Sequence, residues 1–361
     1  MDWSIVPNLG QILEDLRLEV VAYTHKDFLP TENILTEIFK KCCSSLGLVK
    51  RLNPFLQLII GAVVFSFWIL LALKLFQSIT IPCYASGERM DDKTVLITGS
   101  NRGRGLEVAR ELASRGARII LACRNMQRGE EAMKFIRKTA NTTRLSLAKI
   151  DFSDMMSIRN LAHQVLSNET RLDVLICNGS VSLDRLYRTE TGVEVHLATN
   201  YLGFFLLSNL LLSLLSSSDG RILLPAGQDL WSADLEIDNL NSELRFNKKT
   251  VFANSQLANL LFTRQLAVRC AAAKIPVAVN CYDIGKQRTS FNWFSATREH
   301  NAVENMVHLA VSKDGKETSG NYFTGCKIAK VSERASDSAL AEKLWNFSTF
   351  FTNLQEEESI F

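Results

Sequence analysis

Thr94–Ala113, TVLITGSNRGRGLEVARELA, decides the fold. Thr94–Ile97 is apolar and β-branched and predicts a buried strand. Gly99, Gly103 and Gly105 punctuate the turn that follows, and from about Gly103 the apolar positions recur at helical spacing. Glycine lets a backbone turn sharply and approach a ligand with no Cβ in the way. The free N–H groups and positive dipole end of the following helix suit a pyrophosphate. A Gly-rich turn with no ligand has the same local sequence, so the flanking chain must decide between the two.

Outward from this stretch, apolar strands alternate with helical segments. Arg118–Cys123, Leu145–Ile150, Leu172–Ile176, Arg221–Leu224 and Val277–Cys281 predict further strands. The alternation predicts an α/β domain, a doubly wound parallel sheet covered on both faces, with ligands at the carboxyl ends of its strands. Ser153 or Asp154 is the expected cap of the helix after the third strand. The second strand runs directly into Arg124. A carboxylate at that position would bind a ribose 2′-hydroxyl, whereas a cation accommodates a 2′-phosphate. With Arg102 as a second cation at the same corner, the expected cofactor is NADP rather than NAD; two solvated surface arginines are the alternative.

The bulk composition excludes other classes. The chain has 361 residues, 47% of them hydrophobic, enough for one large α/β domain and an extension. A net charge of only +3 gives no nucleic-acid surface. Five histidines show no ligand spacing, so no metal is expected. Eight cysteines form no Cys-x-x-Cys pair, which argues against a disulfide framework and for a reducing compartment.

Residues 1–54 form an extension ahead of the main domain. Ile5–Val21 and Thr31–Leu48 carry apolar residues at helical spacing with Pro30 between, either interfacial amphipathic helices or a loosely packed pair. Phe55–Leu73, FLQLIIGAVVFSFWILLAL, holds no charged residue. A helix of ~20 apolar residues crosses a ~30 Å hydrocarbon core. The expected organisation is therefore a membrane-spanning helix over 55–76, a linker over 77–90 and the main domain over 91–361. Lys40, Lys41, Lys50 and Arg51 precede the span, and Lys74, Arg89 and Lys93 follow it, a charge margin too narrow to orient it. Cysteine usage favours a cytosolic main domain, and the expected location is a single-pass anchor in the endoplasmic reticulum membrane. Cys42-Cys43 is an acylation candidate, and sequons at Asn141, Asn168, Asn178 and Asn346 matter only in a lumenal domain.

The pattern Thr98-Gly99-x-x-x-Gly103-x-Gly105 resembles the short-chain dehydrogenase/reductase superfamily. Thr191–Leu211 (TGVEVHLATNYLGFFLLSNLL), the DLEIDNLNSE within Gln228–Thr250, Ser319–Cys326 and Leu340–Phe347 look like its retinol dehydrogenase-like group. The resemblance spans about Lys93 to Phe350 and implies a Rossmann-like fold. It also implies that Thr98, Gly99, Asn101, Arg102, Gly103, Arg104 and Gly105 border the cofactor, with Asp151-Phe152 meeting the adenine, Asn178 beside the cofactor and Thr289 meeting the carboxamide. Arg104 stands where an apolar residue is usual, either reaching a phosphate or crowding the site; Ile284 replaces a Pro. Asn200 matches an Asn that holds a water for proton relay, or else kinks its helix.

The family's catalytic Ser, Tyr and Lys align with Gly227, Phe252 and Gln256. In Tyr-x-x-x-Lys the i, i+4 spacing sets the cation beside the hydroxyl and lowers the Tyr pKa to a working value. Phe252 has no proton to give, Gly227 has no side chain, and Gln256 has no charge, though it could still bond a ribose. Tyr201, Lys249, Tyr282 and Asp283 are nearby in sequence, but no helical face aims them at the site. The expectation is a membrane-anchored, NADP-binding pseudoenzyme with a binding or regulatory role. The alternative is an active NADP-dependent oxidoreductase on retinoid-like or other lipophilic alcohols and aldehydes. Expected partners are membrane lipid at 55–76, a lipophilic small molecule, and a second copy, paired through Val251–Ala267 as family dimers often are, or another protein.

Overall fold

The computed structural model describes residues 87–285 and 296–361 and, apart from them, residue 66. Both ranges belong to one unit of the chain, 79–361. The extension 1–54 with Cys42-Cys43, the rest of the apolar stretch 55–76, and Thr289 lie outside the described residues. Among the described residues no helix is long and apolar enough to cross a membrane.

β1 (Thr94–Thr98) is wholly buried and divides its side chains between two cores. Val95 and Ile97 join Val108 and Leu112 of α1 (Gly103–Ser114), Ile136 of α2 (Met126–Ala140) and Met306 and Leu309 of α6 (Ala296–Val311). Leu96 faces the other way, with Ile158 of α3 (Met155–Asn168), Phe205 of α4 (Gly203–Leu210), Leu257 of α5 (Lys248–Ala272) and Trp345 of α7 (Ser338–Thr352). A strand's side chains alternate, so an all-apolar run of this kind needs helices on both faces. Each fully buried aliphatic side chain contributes about 1.5–3 kcal/mol.

β2 (Arg118–Cys123), β3 (Leu145–Lys149), β4 (Val174–Ile176), β5 (Arg221–Ala226), β6 (Ala278–Asp283), β7 (Tyr322–Thr324) and β8 (Lys327–Ile328) complete an eight-stranded sheet in the order β3-β2-β1-β4-β5-β6-β7-β8. All neighbours run parallel except β7 and β8. The strand order reverses on either side of β1, the switch point at which such sheets open a crevice.

Several boundaries differ from those the sequence predicts. β4 starts at Val174 because the Leu172 N–H donates to Ser218 Oγ (3.1 Å) rather than to a strand. β5 continues through Pro225 to Ala226, since its partner β4 already ends opposite Leu223 and Pro225 owes that strand no N–H. β6 keeps pace as far as Asp283, opposite Ala226. The helical stretch within Thr191–Leu211 starts at Val195, capped by Glu194 Oε2 on the Leu197 N–H (2.8 Å), and contains a π-helical turn, Ala198–Leu202, before α4. Asp154, not Ser153, caps α3, accepting from the Met156 N–H (2.9 Å).

Candidate functional site

A cleft of about 650 Å³ lies at the carboxyl ends of the strands. The Gly-rich turn after β1 forms its middle. Arg124, Asn125, Arg128 and Asp151 border it on the β2–β3 side, and Asn200, Pro225, Gln256 and Ile284 on the β4–β6 side.

The β2–β3 side is open and cationic. α1 begins after Arg102 with no side-chain cap and no acid in its first turn, whereas α2, α3, α5 and α7 are each capped by Asn or Asp. Its first N–H groups are therefore left for an anion. Gly103 has φ +56°, and nothing lies within 4 Å of where its Cβ would stand, so the backbone there is both glycine-dependent and approachable. Arg124, 74% exposed in its side chain, stands 3.9 Å from Asp151, and the side chains of Arg102 and Arg128 carry no hydrogen bond or ion pair among the described residues. Asp151 Oδ1 accepts from Ser153 N (3.0 Å) and Ser153 Oγ (2.6 Å), which fixes the carboxylate at the end of β3. Free N–H groups beside unpaired guanidinium groups fit the phosphates of a phosphorylated nucleotide. Sequence reasoning missed Arg128, although its spacing of four from Arg124, across the Asn125 cap, was there to be read.

The β4–β6 side is closed by internal bonds. Gln256 is 1% exposed; its Oε1 accepts the Gly227 backbone N–H (3.0 Å) and its Nε2 donates to Ser255 Oγ (3.1 Å), which ties both ends of the amide to the protein. Phe252 is buried and does not line the cleft. A Cβ at Gly227 would come within 3.1 Å of Ile284 Cγ1, so a serine there requires Ile284 to give by a few tenths of an ångström. Arg104 crosses from the Gly-rich turn to donate through Nη1 to Ile284 O at 2.6 Å, which holds its guanidinium within the cleft lining. Asn200 is structural: its side chain accepts from Val181 N (2.8 Å) and donates to Val181 O (3.0 Å), and its own carbonyl takes a bond from Asn259 Nδ2 (2.9 Å).

None of the four neighbouring candidates presents a proton to the cleft. Tyr201 is fully buried with its hydroxyl on Ser348 Oγ (2.6 Å), and Tyr282 donates to Cys177 O (2.7 Å). Burial pushes both phenols well above their ordinary pKa. Asp283 accepts from Gly285 N (2.7 Å) and Thr324 Oγ1 (3.0 Å), and Lys249 is exposed outside the cleft. Among the described residues the cleft lining contains no Tyr, Lys, His or Glu; its hydroxyls are Ser180 and Thr199, and Cys123 and Asp151 also border it.

Two predicted contacts, Thr98 and Gly105, lie outside the cleft lining, while Phe152 borders it. Thr98 is fully buried, donating to Asn178 O and accepting from Asn178 N (both 2.8 Å), so it pins the strands instead of touching a ligand. Gly105 faces protein: its Cβ would lie 2.5 Å from Gly99 O and 2.6 Å from Asn178 Nδ2. Phe152 borders the cleft, yet its ring is set edge-on against Phe204 at 4.8 Å and above Gly203. Gly99, Asn101, Arg102, Gly103, Arg124, Asp151 and Asn178 do line the cleft; Asn178 is half-buried, its amide donating to Thr98 O and Gly99 O (3.2 Å each).

Comparison with known proteins agrees with this architecture. The family model described as short chain dehydrogenase matches residues 93–299. The chain is 35% identical to Retinol dehydrogenase 14 of Homo sapiens over 296 residues, covering 73% of this chain and 88% of that one. It is 36% identical to human Retinol dehydrogenase 12 over 273 residues, covering 72% and 86%. Among solved structures, a protein of Mycobacterium Paratuberculosis superposes with a TM-score of 0.64 at 29% identity, over 74% of this chain and 95% of that one. A short chain dehydrogenase of Shigella flexneri complexed with NADP shares the fold, with a TM-score of 0.53 at 20% identity over 67% and 100%. From strand order, Gly-rich turn and matched sequence together, the chain belongs to the short-chain dehydrogenase/reductase superfamily, with retinol dehydrogenases among its relatives.

Proposed function

We propose that this protein is a membrane-anchored, NADP-binding member of its family that has lost the family's proton-transfer chemistry and acts by binding, as a sensor or regulatory partner. The observation that carries this is the bond from the Gly227 N–H to Gln256 Oε1. It joins two positions where the family pattern needs a hydroxyl and an ammonium, and it consumes both. Bound nucleotide would supply hydride chemistry, but Gly227, Phe252 and Gln256 offer no group to hold or move the accompanying proton. Arg124 and Arg128, with Arg102 beside them, hold the 2′-phosphate, and the uncapped end of α1 holds the pyrophosphate. The apolar segment 55–76 anchors the chain in the endoplasmic reticulum membrane, with 77–90 as linker to a cytosolic domain beginning near 91.

A second reading is an active oxidoreductase on retinoid-like alcohols and aldehydes, favoured by the identity of 35% to a retinol dehydrogenase. It would have to draw on Ser180 or Thr199. Calorimetric titration of the full chain in detergent with NADPH and NADH, followed by a retinaldehyde reduction assay, tests the proposal. NADPH-preferring binding without turnover is expected. Turnover at the level of an active relative establishes the second reading, and no binding of either nucleotide overturns both.

A further inference from the structure

In sheets of this kind the pyrophosphate sits at the turn after the first strand and the second strand's end reads the adenosine ribose, so the other half of a dinucleotide must extend over the far strands. Here those are β4, β5 and β6. This is the side where Arg104 reaches from the turn after β1 to the residue after β6, with β4 and β5 lying between those strands in the sheet. The guanidinium therefore stands across the ground the second mononucleotide would cover. Ile284 borders the same ground, its side chain 3.1 Å from where a Cβ on Gly227 would stand.

We infer that the cleft takes the 2′-phosphoadenosine end of its nucleotide and that Arg104, tied to Ile284 O, occupies the place of the nicotinamide end. The inference rests on the nucleotide-binding proposal above and narrows it. The two sides of the cleft differ in what a ligand must displace. On the β2–β3 side, Arg102 and Arg128 have nothing to give up among the described residues. On the β4–β6 side, a nicotinamide would have to break a charge-assisted bond of 2.6 Å in a part-buried setting and leave the guanidinium seeking another acceptor. An apolar side chain at position 104 would impose no such cost.

The test compares ligands on the full chain in detergent. Adenosine 2′,5′-bisphosphate, NADPH and adenosine 5′-monophosphate are titrated by calorimetry, and NADPH fluorescence is followed for transfer of its ring into an apolar site. The bisphosphate and NADPH are expected to bind equally, within about threefold, with no fluorescence enhancement, and the monophosphate at least about tenfold more weakly. In Arg104→Leu, NADPH is expected to gain about tenfold over the bisphosphate, with enhanced fluorescence. Arg104→Gln, which keeps a polar side chain but no charge, should move the same way by less and guards against a folding defect in the leucine variant. NADPH binding tenfold tighter than the bisphosphate in the unmodified protein, or with enhanced fluorescence, overturns this inference and leaves nucleotide binding standing. No binding of any of the three overturns the nucleotide proposal itself.

Discussion

The β2–β3 and β4–β6 sides of the cleft stand on one sheet, and they differ in where their polar groups spend their hydrogen bonds. On the first side the α1 N–H groups have no cap and the guanidinium groups of Arg102 and Arg128 have no partner among the described residues. On the second, Gln256, Asn200, Tyr282 and Asp283 are bonded within the protein. A site that awaits a ligand keeps polar groups unsatisfied until it arrives, whereas a site that has become scaffold satisfies them itself. The fold needs neither set to change, since the cores on both faces of the sheet lie beneath the cleft.

The largest change should come from rebuilding the closed side. Gly227→Ser, Phe252→Tyr and Gln256→Lys together should remain inactive, because Arg104 stays tied to Ile284 O and Ile284 crowds the new serine at 3.1 Å. Adding Arg104→Leu and Ile284→Ala clears both obstructions; alanine retains the N–H that donates to Ala226 O (2.9 Å). NADPH-dependent retinaldehyde reduction should then rise ~10²–10⁴-fold over the unmodified chain. Activity in the triple variant alone would show that Ile284 and Arg104 do not close the site.

Next in size is the hinge between the two sides. Gly99 has φ +59°, and its Cβ would stand 2.6 Å from Asn178 O. Gly99→Ala should cost about 1–2 kcal/mol for the left-handed backbone alone, and more from the clash, seen as a lower denaturant midpoint together with lost NADPH binding. On the open side, Arg128→Ala should weaken NADPH about tenfold while leaving NADH unchanged, since a charged hydrogen bond is worth about 1.5–3 kcal/mol. An equal loss for both nucleotides would place Arg128 on the pyrophosphate instead.

The smallest effect lies at the opposite end of the sheet. Burial raises the Asp173 pKa, but Arg171, the Thr94 N–H (2.9 Å) and Lys93 (3.0 Å) outweigh it and leave the carboxyl below its ordinary value. The unfolded group titrates near about pH 3.9, so this stabilisation is present above that pH and is lost as pH falls through the lower folded value. Asp173→Asn should lower stability at neutral pH by about 1 kcal/mol and flatten the acid limb of the unfolding curve, which urea titrations at several pH values would show.

The β-α alternation and the position of the Gly-rich turn were legible because both are local: buried strands read as apolar runs, and the turn needs glycine at φ +59° and +56°. The residue types at Gly227, Phe252 and Gln256, on which the proposed loss of proton transfer rests, were legible too. What each replacement touches was not. Arg104 meets Ile284 across 180 positions and Gln256 meets Gly227 across 29, and no periodicity encodes such pairs. Thr98 and Gly105 sit in the motif as expected, yet they serve the junction with Asn178, which only the packed strands reveal. Pro225 hid two residues of β5, since its tolerance depends on where the neighbouring strand stops.

The central claim is that one side of the cleft still binds while the other no longer reacts. Calorimetry of the full chain with NADPH, run with and without retinaldehyde in the cell, tests it most directly. The account predicts a saturable NADPH isotherm, absent or much weaker with NADH, and no sustained heat of turnover when the aldehyde is present. Sustained heat with retinaldehyde, matched by oxidation of NADPH, would contradict it.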